Sequence, residues 1–270
     1  MYGGTWRRAQ VPPKAYVPWR WAVGGALLGT LATLVVFAPA RWLAAGLAQA
    51  TQQQVILSDP TGSIWRGSAQ LVLSGGAGSH DRAGLPGRVS WRLSPGWQGL
   101  QAQVEASCCT RQPMALGVTP LWGGVQLKLA QLQADLPAQL LEGLGAPFNT
   151  LQPQGRLSLA SQGLTVRWQS GRASLQGEAS FTASDVSSRV SPLKPLGSYR
   201  VVISGGDSPS LALSTLGDAP LRLTGSGRWV SSRLRFSGEA VAAPEHEVQL
   251  SNLLTLIGRR SGGKAIISVG

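Results

Sequence analysis

Hydrophobic positions follow three different periods along this chain. Residues 21–40 come first: twenty residues with no Asp, Glu, Lys, Arg or His, closed by Arg20 and Arg41. A helix of that length spans about 30 Å, the hydrocarbon thickness of a bilayer. A lone lipid-exposed segment must satisfy its own backbone hydrogen bonds, so the stretch is predicted to be a single transmembrane helix. Trp19, Trp21 and Trp42 stand where aromatic anchors favour headgroups. Gly25 and Gly29 form a G-x-x-x-G spacing, a candidate helix-packing face.

Residues 41–54 are rich in helix formers and predict a juxtamembrane helix. Asp59-Pro60-Thr61-Gly62 then predicts a turn. Beyond it the period changes to two. Arg88-Val89-Ser90-Trp91-Arg92-Leu93 alternates, stops at Ser94-Pro95-Gly96 and resumes from Leu100; Val125-Gln126-Leu127-Lys128-Leu129 alternates cleanly. Helical spacing returns twice. Leu136, Leu140, Leu141 and Leu144 recur behind Asp135, a candidate N-cap, and Leu250, Leu253, Leu254 and Ile257 recur before Gly258. The fold class read from this is mainly β: repeated antiparallel hairpins forming stacked or sandwiched sheets, with two short helices. The domains expected are a basic tail (1–20), the span (21–40), a juxtamembrane helix and linker (41–58) and two β-subdomains (59–150 and 151–270).

One pattern repeats. Arg167-Trp168-Gln169-Ser170-Gly171-Arg172 runs on to Gly177-Glu178-Ala179, and Arg228-Trp229-Val230-Ser231-Ser232-Arg233 runs on to Gly238-Glu239-Ala240. Val89-Ser90-Trp91 with Val104-Glu105-Ala106 is a weaker third copy with a longer turn. Each copy reads as a hairpin with a Trp near the end of its first strand. Trp65, Trp91, Trp168 and Trp229 are accordingly predicted to be buried core residues.

Charge orients the span. Arg7, Arg8, Lys14 and Arg20 precede it without an acidic residue, and Arg41 stands alone after it until Asp59. The positive-inside rule places the N-terminus in the cytoplasm and the rest across the membrane, in the periplasm of a single-pass inner-membrane protein. A cleaved signal peptide is the rival, since Ala38-Pro39-Ala40 resembles a small-residue cleavage site. The long apolar stretch and the Arg just after the site favour a retained anchor. The net charge is +12, and only 13% of residues are charged, about half the usual share. The basic residues are scattered singly along strands, which suits solvated strand faces and speaks against a nucleic-acid partner.

Chemistry is sparse. Cys108 and Cys109 are neighbours, and two free thiols, one buried and one exposed, are the simplest expectation; a strained bridge or an intermolecular link is the alternative. His80 and His246 are isolated, so no metal site is expected. Glu245 and Glu247 flank His246 and read as the polar first turn of a helix. No nucleophile motif or phosphate-binding glycine loop is found, so no catalytic residue, cofactor or enzyme activity is expected.

Six segments together carry a family likeness. They are Leu57-Ser58 through Gly62-Ser63-Ile64-Trp65-Arg66-Gly67-Ser68-Ala69, Val89-Ser90-Trp91-Arg92-Leu93-Ser94-Pro95, Leu196-Gly197-Ser198-Tyr199-Arg200-Val201, Leu211-Ala212-Leu213-Ser214-Thr215, Leu221-Arg222-Leu223-Thr224-Gly225-Ser226-Gly227-Arg228-Trp229 and Leu250-Ser251-Asn252-Leu253-Leu254-Thr255-Leu256-Ile257-Gly258. In their order and spacing the chain resembles protein N of the bacterial type II (general) secretion pathway over nearly its whole length. The resemblance implies a non-catalytic accessory subunit and periplasmic adaptor in the export of folded proteins across the outer membrane. Its partners would be other secretion subunits, of the inner-membrane platform or the secretin, with a homo-oligomer left open. The alternative is an envelope lipid carrier or assembly protein with a membrane-anchored β-groove. The two part on one feature: a carrier needs inward residues that stay apolar without a packed opposite wall, whereas ten Trp residues suggest filled cores.

Overall fold

The computed structural model describes residues 19–270 apart from Gln98, Gly171, Ser231 and Ser232. Most of the basic tail expected over 1–20 therefore lies outside the described residues. The chain divides into two units, Met1–Ala38 and Pro39–Gly270. In the first, helix α1 (Trp19–Val36) is long and apolar enough to cross a membrane and buries none of its residues. It ends before residue 40 because Pro39 supplies no N–H and disfavours helical backbone in the residue before it.

The second unit opens with helix α2 (Ala40–Ala50). Strands β1 (Val55–Gly62), β2 (Arg66–Ser74), β3 (Arg82–Gly84), β4 (Val89–Gly96), β5 (Gly99–Ala106), β6 (Met114–Leu121) and β7 (Gly124–Pro137) follow. A 3-10 helix (Ala138–Leu144) and the single turn α3 (Phe148–Leu151) lead to the long strands β8 (Pro153–Gln169) and β9 (Arg172–Ser188). Then come β10 (Gly197–Ser204), β11 (Ser210–Leu216), β12 (Leu221–Val230) and β13 (Arg233–Ala242). Helix α4 (Glu247–Ile257) and the strands β14 (Arg259–Ser261) and β15 (Lys264–Val269) close the chain.

Among the described residues these strands form one antiparallel sheet, in the order β1-β2-β4 to β13 and then β15-β14, with β3 on β2. The mainly β chain of repeated hairpins is as the alternation predicts. The hairpins join a single sheet instead of two stacked or sandwiched layers. Short hairpin connections keep each strand beside its predecessor and offer no crossover that would deal strands into a second layer. The sheet also passes without a break across residue 150: β7 and β8 pair from Gly124↔Gln169 to Pro137↔Arg156.

Three local expectations change. Asp59-Pro60 is not a turn but an irregularity inside β1, with Asp59 at φ 49° and the pairing to β2 shifted between Ser58 and Thr61. An edge strand tolerates the missing Pro N–H, and Arg88 Nη2 holds the bulge by donating to Asp59 O at 2.8 Å and Ser68 O at 2.9 Å. Asp135 stays on β7, where its Oδ1 accepts from Ser158 Oγ at 2.6 Å, and the helical turn begins only after Pro137. Cys108 and Cys109 are joined in a disulfide, so the free-thiol expectation fails. They sit in the turn after β5, where Cys109 N and Thr110 N both donate to Ala106 O.

The repeated motif is a repeated hairpin. Trp168 pairs with Ala173 and Gln169 with Arg172; Trp229 pairs with Leu234 and Val230 with Arg233. In the third copy Trp91 pairs with Val104.

Candidate apolar groove

Residues directly opposite on paired strands share a face. Val125 faces Trp168, which faces Ala173; Leu127 faces Val166, which faces Leu175; Ala134 faces Leu159, which faces Phe181; Phe181 faces Val201, which faces Leu213. One face is thus apolar from strand to strand. The other face is polar: Gln126 faces Arg167, Ser158 faces Thr182, Thr182 faces Arg200 and Ser226 faces Ser237.

Helical elements cover the apolar face in patches. Ala40, Ala44 and Ala48 recur every fourth residue on α2 and are buried, so small side chains bring this helix close to the sheet. Ala40 packs with Ala69 and Trp91. Leu140 of the 3-10 helix packs with Leu85, Val89, Ala106 and Cys109. Leu250, Leu253 and Leu254 of α4 pack on Leu196, Leu221, Ala240 and Ala265. Between these covers the face lies open. Leu127, Val166, Leu175, Val201 and Leu213 are half-buried, and Phe181 is exposed.

A cavity of about 460 Å³ lies beside α2, lined by Leu43 and Leu47 of that helix and by Trp91, Val104, Met114 and Leu132 of the sheet, among other apolar side chains. That volume falls within the range of ligand pockets. Its walls offer no hydrogen bond: the hydroxyl of Thr110, a polar lining residue, accepts from Ala106 N at 2.9 Å and donates to Ala106 O at 3.1 Å. The middle strands pair on both sides, so their backbone groups are engaged in the ladder as well.

The expected core tryptophans separate. Trp91 is 7% exposed, and its Nε1 donates to Ile64 O at 3.0 Å. Trp65 and Trp229 are half-buried. Trp168 is 53% exposed, against the expectation of burial, because nothing among the described residues covers the apolar face at the end of β8. Gly25 and Gly29 lie on α1, and a Cβ built on either meets nothing within 4 Å. His246 Nδ1 lies 3.1 Å from Gln249 Oε1, and Glu247 is in the first turn of α4. No cluster of three metal-ligating side chains occurs among the described residues. The groove itself is not singled out by the sequence. Its signal is present, since alternation with a greasy side appears in strand after strand, but alternation alone does not say whether a second wall faces it.

Tyr199 is the buried titratable group. Its Oη donates to Leu221 O at 2.9 Å, and burial pushes its pKa well above the usual phenol value.

No curated protein and no solved structure matches the chain. A family model does: protein N of the type II secretion system matches residues 53–267, which takes in every strand described above but the last two residues of β15. That match covers most of the chain, and the chain belongs to the type II secretion system protein N family.

Proposed function

We infer that the chain, as a member of that family, is an accessory component of type II secretion with other secretion subunits as its partners. We propose that it acts without catalysis, as a periplasmic adaptor held in the inner membrane by α1, with its N-terminus in the cytoplasm. The observation that carries this is the family match over a β-sheet domain that directly follows an apolar helix whose basic residues lie at and before its N-terminus. In this reading the work is done by contacts, at the sheet surfaces outside the membrane and at Gly25 and Gly29 within it. Alkaline phosphatase fused after Gln54 is expected to be active in cells. A deletion strain should lose the halo formed by a secreted protease and regain it with the full chain. His246→Ala, Glu245→Ala and Glu247→Ala should restore the halo as well as the native chain does. Loss of the halo with His246→Ala at normal expression would overturn the non-catalytic reading.

The uncovered apolar face favours a second reading, the envelope lipid carrier with a membrane-anchored β-groove. A peptide laid in the cavity beside α2 would bury amides with no partner in the wall, whereas an alkyl chain asks for none. Photo-crosslinking in cells from Met114, which lines the cavity, and from its neighbour Ala115, on the opposite face, separates the readings. Phosphorus-labelled lipid attached at Met114 and not at Ala115 supports the carrier; a cross-linked polypeptide at Met114 supports the adaptor.

A further inference from the structure

In a meander every second connection falls at the same end of the sheet. The connections β4–β5, β6–β7, β8–β9, β10–β11 and β12–β13 therefore lie together, and register carries this across the strands: Pro120 pairs with Val125, and Val125 with Trp168. Trp97 and Trp122 stand in the first two connections with relative exposures of 107% and 99%. Trp168 borders the third and Val230, 50% exposed, borders the fifth. Single exposed hydrophobic residues need no explanation, but a row of indoles at one end of a sheet does.

The same end is basic. Arg228 and Arg235 lie directly opposite each other on β12 and β13, and Arg233 closes that hairpin. Like charges face to face are unfavourable unless an anion lies beside them. None of the three makes an ion pair among the described residues. Asp207 is the acidic residue of these connections.

The chain also enters the folded unit here. Pro39, its first residue, bridges to Ser63 in the β1–β2 connection, which falls at this end of the sheet. In the sequence only Phe37 and Ala38 lie between α1 and Pro39, a reach of at most about 11 Å.

We propose that this end of the sheet is a bilayer-docking edge. The indoles of Trp97, Trp122 and Trp168 seat among the headgroups of the membrane that holds α1, and Arg228, Arg233 and Arg235 meet the phosphates of its anionic lipids. The proposal rests on the reading of α1 as an anchor and goes beyond both functional readings, since an adaptor and a carrier alike need a defined posture on the membrane. Indoles with one apolar and one polar side suit the interface. Their spacing speaks against a protein partner. Strands about 4.8 Å apart set Trp97, Trp122 and Trp168 out in a line over roughly 20 Å and carry the row on to the arginines of β12–β13 over roughly 40 Å, whereas a protein hot spot gathers its anchors at one centre.

The test uses the full chain reconstituted in vesicles of phosphatidylethanolamine and phosphatidylglycerol, with a phospholipid spin-labelled near its headgroup. A fluorophore is attached after reconstitution to one of three single-cysteine sites. Two are at the proposed edge, Trp122→Cys and Ser208→Cys, the latter in the β10–β11 connection. The third is Arg189→Cys, at an exposed position in the β9–β10 connection at the opposite end. The tip labels are expected to be quenched and the Arg189→Cys label not. Replacing Arg228, Arg233 and Arg235 by Gln should weaken docking by roughly fivefold per charge, read as lost quenching at Ser208→Cys. Tip labels quenched no more than the Arg189→Cys label, in a chain that resists alkaline extraction, overturn the docking edge and leave the anchor standing. A chain that alkali strips from the vesicles overturns the anchor, and the docking edge with it.

Discussion

Trp91 and Trp168 point from the same face of one sheet and meet different surroundings. Trp91 lies under α2 with its indole N–H satisfied by Ile64 O; Trp168 lies past the last cover. Trp91→Ala is expected to cost about 3–5 kcal/mol in urea unfolding, and Trp168→Ala under about 1 kcal/mol. Equal losses would mean that the half-exposed indole is packed in solution. The Trp pattern is legible in the sequence as a repeated hairpin; which Trp is covered is not, because the cover comes from a helix distant in the chain. Tyr199 yields a pH prediction. Its folded pKa is raised above the ordinary 10.0, so the unfolded chain gives up its phenolic proton first. Stability contributed by the neutral phenol is complete below pH 10 and falls as pH rises further. In Tyr199→Phe this alkaline loss should shrink, while stability at pH 7 drops by about 1 kcal/mol through the lost bond to Leu221 O. An unchanged alkaline slope would assign the loss to other groups.

At the level of elements, α4 is legible because Leu250, Leu253, Leu254 and Ile257 keep helical spacing, and the first three are buried. Leu254→Ala should cost about 2–5 kcal/mol, measured by thermal unfolding, since Leu254 has no exposed surface and its neighbours come from several strands. A loss near zero would mean that α4 does not cap the sheet. The 3-10 helix is legible as a break in alternation, but its start is not. Asp135 looks like an N-cap in one dimension, yet a serine on the neighbouring strand claims its carboxylate. The bulge at Asp59-Pro60 reads as a turn for a similar reason: Pro and Gly mark interruptions without saying whether the strand resumes.

For the whole molecule, the choice between one sheet and two facing sheets lies beyond the sequence, because both demand the same alternation. The distinction has a dynamic signature. Strands β8 and β9 pair along both sides, while β14 is short and lies at an edge. Hydrogen exchange should therefore be slowest in β8 and β9 and fastest in β14. Uniform exchange across the sheet would argue for a second layer that shields it evenly.

The neighbour-by-neighbour strand order reaches further. Nearly every long-range pairing in this domain joins a strand to the one made just before it. A chain that emerges through a membrane pore from its N-terminal side can thus add each new strand to a finished template, without waiting for its C-terminus. Low separation between partners also speeds folding. The same plan makes length cheap to change, because a hairpin inserted between two others meets only its neighbours. The number of strands can then change while every other contact stays as it was.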